Sequence, residues 1–282
     1  TLAISITTGS YLRQTRIGSI SMWKAAAFAQ AAQNAVRAAL YVKNGFTGPK
    51  EIFCGQHGFI NQITLGEFDL AERFGGKEDQ RFKIAGTYIK FFPAEYHSQS
   101  AIWAALDLRR RIEENHIQNI EHIHVETSFH SYEIIGKEPA KWNPETRETA
   151  DHSLPYIVAA ALLDGEITLK QFDESHLQNQ ALHELIQKVT VSQTKEYTNM
   201  YGKSFPNKII ITMKNGAVHE KEVLDPKGHP NNPLSRKELE EKFRNSASSL
   251  LSRSQQEGIL EMLWNLEELH DIGNLMKLFE VK

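Results

Sequence analysis

Cysteine is nearly absent: Cys54 is the single thiol in 282 residues. One thiol cannot close an intramolecular disulfide or ligate an iron–sulfur cluster, and it points to a reducing compartment. Long apolar runs are missing too. No stretch approaches the roughly 20 residues of a membrane helix, and no basic-then-apolar signal opens the chain. The expectation is a protein of the cytoplasm, or of the mitochondrial matrix in a eukaryote, with no membrane partner. Positive charge is not in excess either, with 32 Lys and Arg against 35 Asp and Glu and a net charge of -3. The one basic triplet, Arg109-Arg110-Arg111, runs straight into Glu113 and Glu114 and reads as a solvated helix face, so no nucleic acid is expected. Phosphate-loop signatures are lacking: GQHGF (55–59) and GGK (75–77) have the wrong spacing, and there is no GxGxxG. His122, His124 and His130 stand without a carboxylate pattern, so no metal is expected.

What is present is an ordinary globular composition, 40% apolar and 24% charged, long enough for about two domains. The chain starts at Thr1 without an initiator Met and reads as a piece of something longer. SMWKAAAFAQAAQNAVRAALYVKNG (21–45) predicts a helix capped by Ser21 and closed by Asn44-Gly45, its alanines implying close approach of neighbouring helices. Alternation from Phe82 to Phe92 predicts a strand or an extended entry, stopped by Pro93. Residues 97–114 predict a helix with Ala101, Ile102, Ala105, Leu108 and Ile112 on one face, and 120–129 a strand with Ile123, Val125 and Thr127 inward. LPYIVAAALLDG (154–165) is apolar on every side and so predicts a helix buried all round. A further helix is expected from about His176 to Lys188, a strand at VTVSQTKEYT, and a hairpin about Asn215-Gly216. Capping boxes at Ser235–Glu238 and Ser254–Glu257 open two more helices, the second with Ile259, Leu263, Leu266 and Leu269 on one face. The order suggests a helical domain (1–81 and 225–282) interrupted by an α+β lid domain (82–224) with an antiparallel sheet.

Two stretches put ionisable groups beside a helix start. In KFFPAEYHSQS (90–100), Pro93 turns the chain, Ser98 is the expected N-cap, and Glu95 and His97 lie just outside. A carboxylate and an imidazole at this spacing can act as base and acid, or Glu95 can simply favour the positive helix end while His97 sits on the surface. In ETADHSLPY (148–156), Ser153 caps and Pro155 fits the first turn, with Asp151 and His152 just before it. Here also a plain structural reading stands beside a functional one, in which free N–H groups at the mouth of a buried helix suit a carboxylate ligand. Arg13, Arg16, Lys24 and Lys90 are the cations within reach of such an anion, and surface solubility explains them equally well.

PETRETADHSLPY (144–156), FPAEYHSQSA (92–101), TRIGSISMWKAAA (15–27) and GHPNNPLSRKELEEKF (228–243) together resemble the MmgE/PrpD family, most closely its 2-methylcitrate dehydratases. The matches keep the family's order and belong to the later part of its longer polypeptide. The resemblance implies a helical domain interrupted by an α+β lid with the site between them, a homodimer, and no cofactor. It implies removal of water from 2-methylcitrate, a small tricarboxylate, in propionate breakdown. Decarboxylation of cis-aconitate or isomerisation of a similar tricarboxylate is the nearest alternative, and a non-catalytic dimerisation module is one of another class. Lys90 matches a lysine that the related decarboxylases place before a Pro-Ala turn. Glu95 stands where those enzymes have a histidine, a departure that favours a dehydratase. Tyr156 matches a family tyrosine as a hydrogen-bond donor to substrate oxygen. The local pattern and the resemblance together place Lys90, Glu95, His97, Asp151, His152 and Tyr156 near the chemistry, and Arg16 and Lys24 as carboxylate binders.

Overall fold

The inward set of Ile123, Val125 and Thr127 makes Ile120–Thr127 a strand (β1) with one buried face, while His122, His124 and Glu126 look outward, half-buried. The computed structural model describes residues 1–9, 15, 20–64, 82–112 and 114–281. β1 pairs parallel with β2 (Val189–Gln193) and antiparallel with β3 (Asn207–Met213), and β3 pairs antiparallel with β4 (Val218–Val223). The order is β2-β1-β3-β4. The sheet is thus mixed rather than antiparallel throughout. β1 and β2 are joined by the long 128–188 crossover that carries the buried helix, and such a connection returns the chain in the same direction. The β3–β4 hairpin turns as expected at Asn215-Gly216, where Gly216 takes φ +84°.

Among the described residues two helices supply most of the core against this sheet, with Leu182, Leu185 and Ile186 beside them. Gln99–Ile112 buries Ala101, Ile102, Ala105, Leu108 and Ile112 as its pattern requires. Leu154–Asp164 is buried at every position from Leu154 to Leu162. Its first turn is capped by Ser153, whose hydroxyl accepts from the Tyr156 N–H at 3.1 Å. Its C-terminal carbonyls at Leu162 and Leu163 accept from Arg109 at 2.9 and 3.2 Å. Arg109 is therefore a helix cap and not part of a solvated face; only Arg110 and Arg111 stay outside, paired with Asp107. Gly165 closes the helix at φ +77°, and a Cβ there would meet the Arg109 guanidinium at 2.6 Å.

The strand expected from Phe82 to Phe92 does not form. Gln99, fully buried, accepts from the Phe91 and Phe92 N–H groups at 3.0 Å each and donates to the carbonyls of Phe92 and Ala94. The Ile89 N–H goes to the Gly228 carbonyl at 2.9 Å. One buried amide and one loop take the groups that a ladder would need.

Other differences are local competitions for caps. Ser98 donates to the Glu95 carbonyl while Glu95 itself caps the turn Tyr96–Ser98. The 176–188 helix splits into Glu174–Leu177 and Gln180–Ile186 because Asn179 caps the second piece. β2 stops at Gln193 because Thr194 caps the helix Lys195–Met200. The Ser235–Glu238 box forms, whereas the second box is Ser252–Gln255, and Glu257 pairs with Arg244 at 3.0 Å instead. In that helix, Arg253–Trp264, Ile259 is buried but Leu263 is exposed, and Leu266 lies beyond it, exposed.

The alanine-rich helix runs Trp23–Lys43, with Met22 rather than Ser21 at its N-cap and no side-chain cap bond. The helix Leu2–Thr8 packs on it as the alanines imply, with the Asn34 amide donating to the Thr8 carbonyl at 3.5 Å, but among the described residues it buries Ala27 and Ala38 alone, and Phe28 is 83% exposed. No helix among the described residues is long and apolar enough to cross a membrane.

Candidate functional site

Helices Gln99–Ile112 and Leu154–Asp164 start side by side, and the Glu95 N–H donates to the Asp151 carbonyl at 2.9 Å. That bond brings the two ionisable stretches into one place. On the first, Glu95 Oε2 accepts from the His97 backbone N–H at 2.7 Å and Oε1 lies 2.7 Å from His97 Nδ1. The pair is nearly closed to solvent, at 12% and 11% side-chain exposure, so His97 is not a surface residue. Burial pushes the Glu95 carboxyl up, but the hydrogen bond from His97, with the charges of His97 and His152, outweighs it and holds Glu95 below its usual range.

With Nδ1 given to the carboxylate, His97 turns Nε2 to the Tyr201 hydroxyl at 3.3 Å. Asn207, buried at the start of β3, donates to the His97 carbonyl at 2.8 Å and fixes the backbone. Tyr201 also stacks on His130 with ring centres 3.9 Å apart.

On the second stretch, Asp151 forms an ion pair with Lys24 at 3.2 Å, bridging residues 127 apart in sequence. His152 Nδ1 lies between Asp151 Oδ1, in very close contact, and the Lys24 ammonium at 3.0 Å. It can donate to the carboxylate or accept from the ammonium, but not both at once. His152 is 8% exposed, and its Nε2 has no hydrogen-bond partner among the described residues.

Lys141 completes the cluster. It is 2% exposed, and burial lowers its pKa against the raising charges of Glu138, Glu95 and Asp151, with Lys24 lowering it further. Nothing in the local sequence marks Lys141, Tyr201 or Asn207; tertiary packing alone brings them here.

Two other expected site residues lie elsewhere. The Tyr156 hydroxyl donates to the Gln171 carbonyl at 2.5 Å inside the core, so the structure does not bring it to the cluster. The helix turns Tyr156 inward, away from its own mouth. Lys90 is exposed and lies close enough to Lys242 to lower that group's pKa, after the larger effect of burial. Arg16 lies outside the described residues, as does Arg13.

Cavities of about 590 Å³, lined among others by Arg111, His116 and His219, and about 550 Å³, lined among others by Phe91, Trp103 and Lys242, hold no member of the cluster. Among the described residues no group of three or more His, Cys, Asp or Glu is placed to hold a metal ion.

The arrangement is an acid–base cluster: two imidazole–carboxylate pairs and two lysines at adjoining helix starts on a mixed helix and sheet scaffold. The MmgE/PrpD C-terminal domain matches residues 92–268, which contain both pairs, and the MmgE/PrpD N-terminal domain matches 1–71. The chain belongs to the MmgE/PrpD family.

Among its relatives, 2-methylcitrate dehydratase of Escherichia coli (strain K12) is 28% identical over 265 residues, 90% of this chain and 52% of the relative. Human cis-aconitate decarboxylase is 34% identical over 137 residues, 49% of this chain and 28% of the relative. A cis-aconitate decarboxylase-like protein of Aspergillus oryzae is 28% identical over 269 residues, 91% of this chain and 55% of the relative. The chain thus spans about half, or less, of the length of the curated relatives it matches.

Proposed function

We propose that the protein is a carbon–oxygen lyase that removes water from 2-methylcitrate to give 2-methyl-cis-aconitate, by acid–base elimination, in propionate catabolism. The observation that carries this reading is the Glu95–Asp151 backbone bond, which sets the His97–Glu95 and His152–Asp151 pairs together with Lys24 beside them. Elimination needs two proton movements. A base takes the proton from the carbon α to a carboxylate, its electron pair forms the double bond, and the hydroxyl on the neighbouring carbon leaves as water after accepting a proton. Two imidazoles oriented by carboxylates suit these two roles, and Lys24 with Arg16 suits the carboxylates of the substrate.

The proposal keeps helical parts at 1–81 and 225–282 around a lid at 82–224, with a homodimer as the working unit. Incubating the full-length protein with 2-methylcitrate tests the reading, with appearance of an unsaturated tricarboxylate the expected result. Inertness toward 2-methylcitrate, with itaconate and carbon dioxide formed from cis-aconitate, would replace it by the decarboxylase chemistry named for the human relative.

A further inference from the structure

Lys141 is a buried cation that the two imidazole pairs do not explain. It ends the turn Pro139–Lys141, and its backbone is pinned from two directions. The Ser153 hydroxyl, at the cap of the buried helix, donates to the Lys141 carbonyl, and the next residue, Trp142, donates its indole N–H to the Val189 carbonyl of β2 at 2.9 Å. The turn is thus tied to Ser153, the residue after His152, and to β2.

The amine is held by much less. Its side chain is 3% exposed, yet the nearest carboxylate is Glu138 at 3.8 Å, itself 42% exposed. No hydrogen bond reaches the ammonium among the described residues. An ammonium has three donors, and burying it without acceptors costs stability that a packed apolar side chain would not. By contrast, the Lys24 ammonium has both Asp151 and His152 within 3.2 Å, leaving one of its three donors for a ligand. Lys141 keeps all three of its donors and is close enough to Glu95 and Asp151 to feel their charges.

We propose that the Lys141 ammonium is a substrate-binding group that takes a carboxylate of the ligand, a second cation of this site beside Lys24. A carboxylate supplies the acceptors that the fold leaves out, and a charge-assisted pair removed from water is strong. This rests on the tricarboxylate reading above and adds a residue to it. A purely structural role, as counter-ion to Glu95 and Asp151, is the competing account.

The two accounts separate in Lys141→Met of the full-length protein, with Lys141→Gln as a second variant should the first fail to fold. We expect the KM for 2-methylcitrate to rise at least about tenfold with kcat changed by no more than about threefold, as loss of one charged hydrogen bond to substrate gives. Binding of tricarballylate, which has no hydroxyl to lose, should weaken to the same degree. At neutral pH the Met variant should melt no lower than the parent. The sign follows from burial: a folded pKa below 10.5 means stability that is present above 10.5 and lost as pH falls through the folded value. Removing the amine therefore removes a cost.

A lower melting temperature with KM unchanged in the folded fraction would return Lys141 to the counter-ion role. A fall in kcat at constant KM would make it a proton-transfer group; either result overturns the proposal. Lys141-dependent tricarballylate binding without turnover of 2-methylcitrate would sink the dehydratase reading and keep this one. Turnover in the parent that the variant matches would do the reverse.

Discussion

The mouth of helix Gln99–Ile112 and the mouth of helix Leu154–Asp164 carry the same kind of pair, a carboxylate and an imidazole, yet the pairs differ in what surrounds them. At the first, His97 is held on both nitrogens, by Glu95 at 2.7 Å and by Tyr201 at 3.3 Å, and its ring lies against Phe205. At the second, Asp151 and Lys24 compete for one nitrogen of His152 while the other has no described partner. A short acid–histidine motif near a helix start thus says little about its chemistry by itself. Distant residues decide it, Tyr201 and Asn207 in one case and Lys24 in the other. The difference leaves one nitrogen of His152 without a described partner, whereas His97 is held at both.

The contrast can be broken or sharpened by substitution. The largest effect is expected at His152→Ala, which should lower turnover at least about a hundredfold, as loss of a general acid or base does, with little change in melting temperature. A large melting loss with activity per folded molecule intact would make His152 structural.

Next comes Glu95→Gln, expected to lower turnover about tenfold by freeing the His97 ring. It also carries a pH signature. Because the folded carboxyl titrates below its ordinary value of 4.5, its stabilisation is present above 4.5 and is lost as pH falls through the lower folded value. The melting-temperature gap between parent and variant should therefore be widest near neutral pH and close in acid; a gap independent of pH would contradict the ion-paired geometry.

Lys24→Met should act mainly on KM, raising it by about tenfold, and should also leave Asp151 without its cation. If kcat falls instead and KM holds, Lys24 acts on His152 rather than on the substrate. The smallest catalytic effect is expected at Tyr156→Phe: no change in turnover per folded molecule, and a stability loss of about 1 to 2 kcal/mol from the unsatisfied Gln171 carbonyl. Loss of turnover without loss of stability would put Tyr156 back at the site.

The residues show why only part of this was legible beforehand. β1, the Asn215-Gly216 hairpin, the buried helix and the Ser235–Glu238 box are each written in neighbouring residues, through alternation, a positive φ or a reciprocal cap. Errors fell where two local options compete and a distant group chooses. Phe82–Phe92 alternates like a strand, but Gln99 and Gly228 take its backbone groups. Arg109 sits in a charged run, but its guanidinium finds two open helix carbonyls. At the site, Glu95, His97, Asp151 and His152 stood out by their place before a helix, whereas Lys141 reads as one more surface lysine. Tyr156 misled in the opposite sense, since its position at the helix mouth gives no sign of which way the ring turns.

By itself the sequence determined the secondary elements that rest on short-range physics and the two helix mouths with their acids and histidines. A cap or an alternating strand is settled by groups within a few residues. Only the tertiary structure decided the parallel pairing of β1 with β2, the joining of the two mouths through Glu95 and Asp151, and the arrival of Lys24, Lys141 and Tyr201. The physical reason is burial: hydrogen-bonding and charged groups removed from water must find partners wherever the packing puts them.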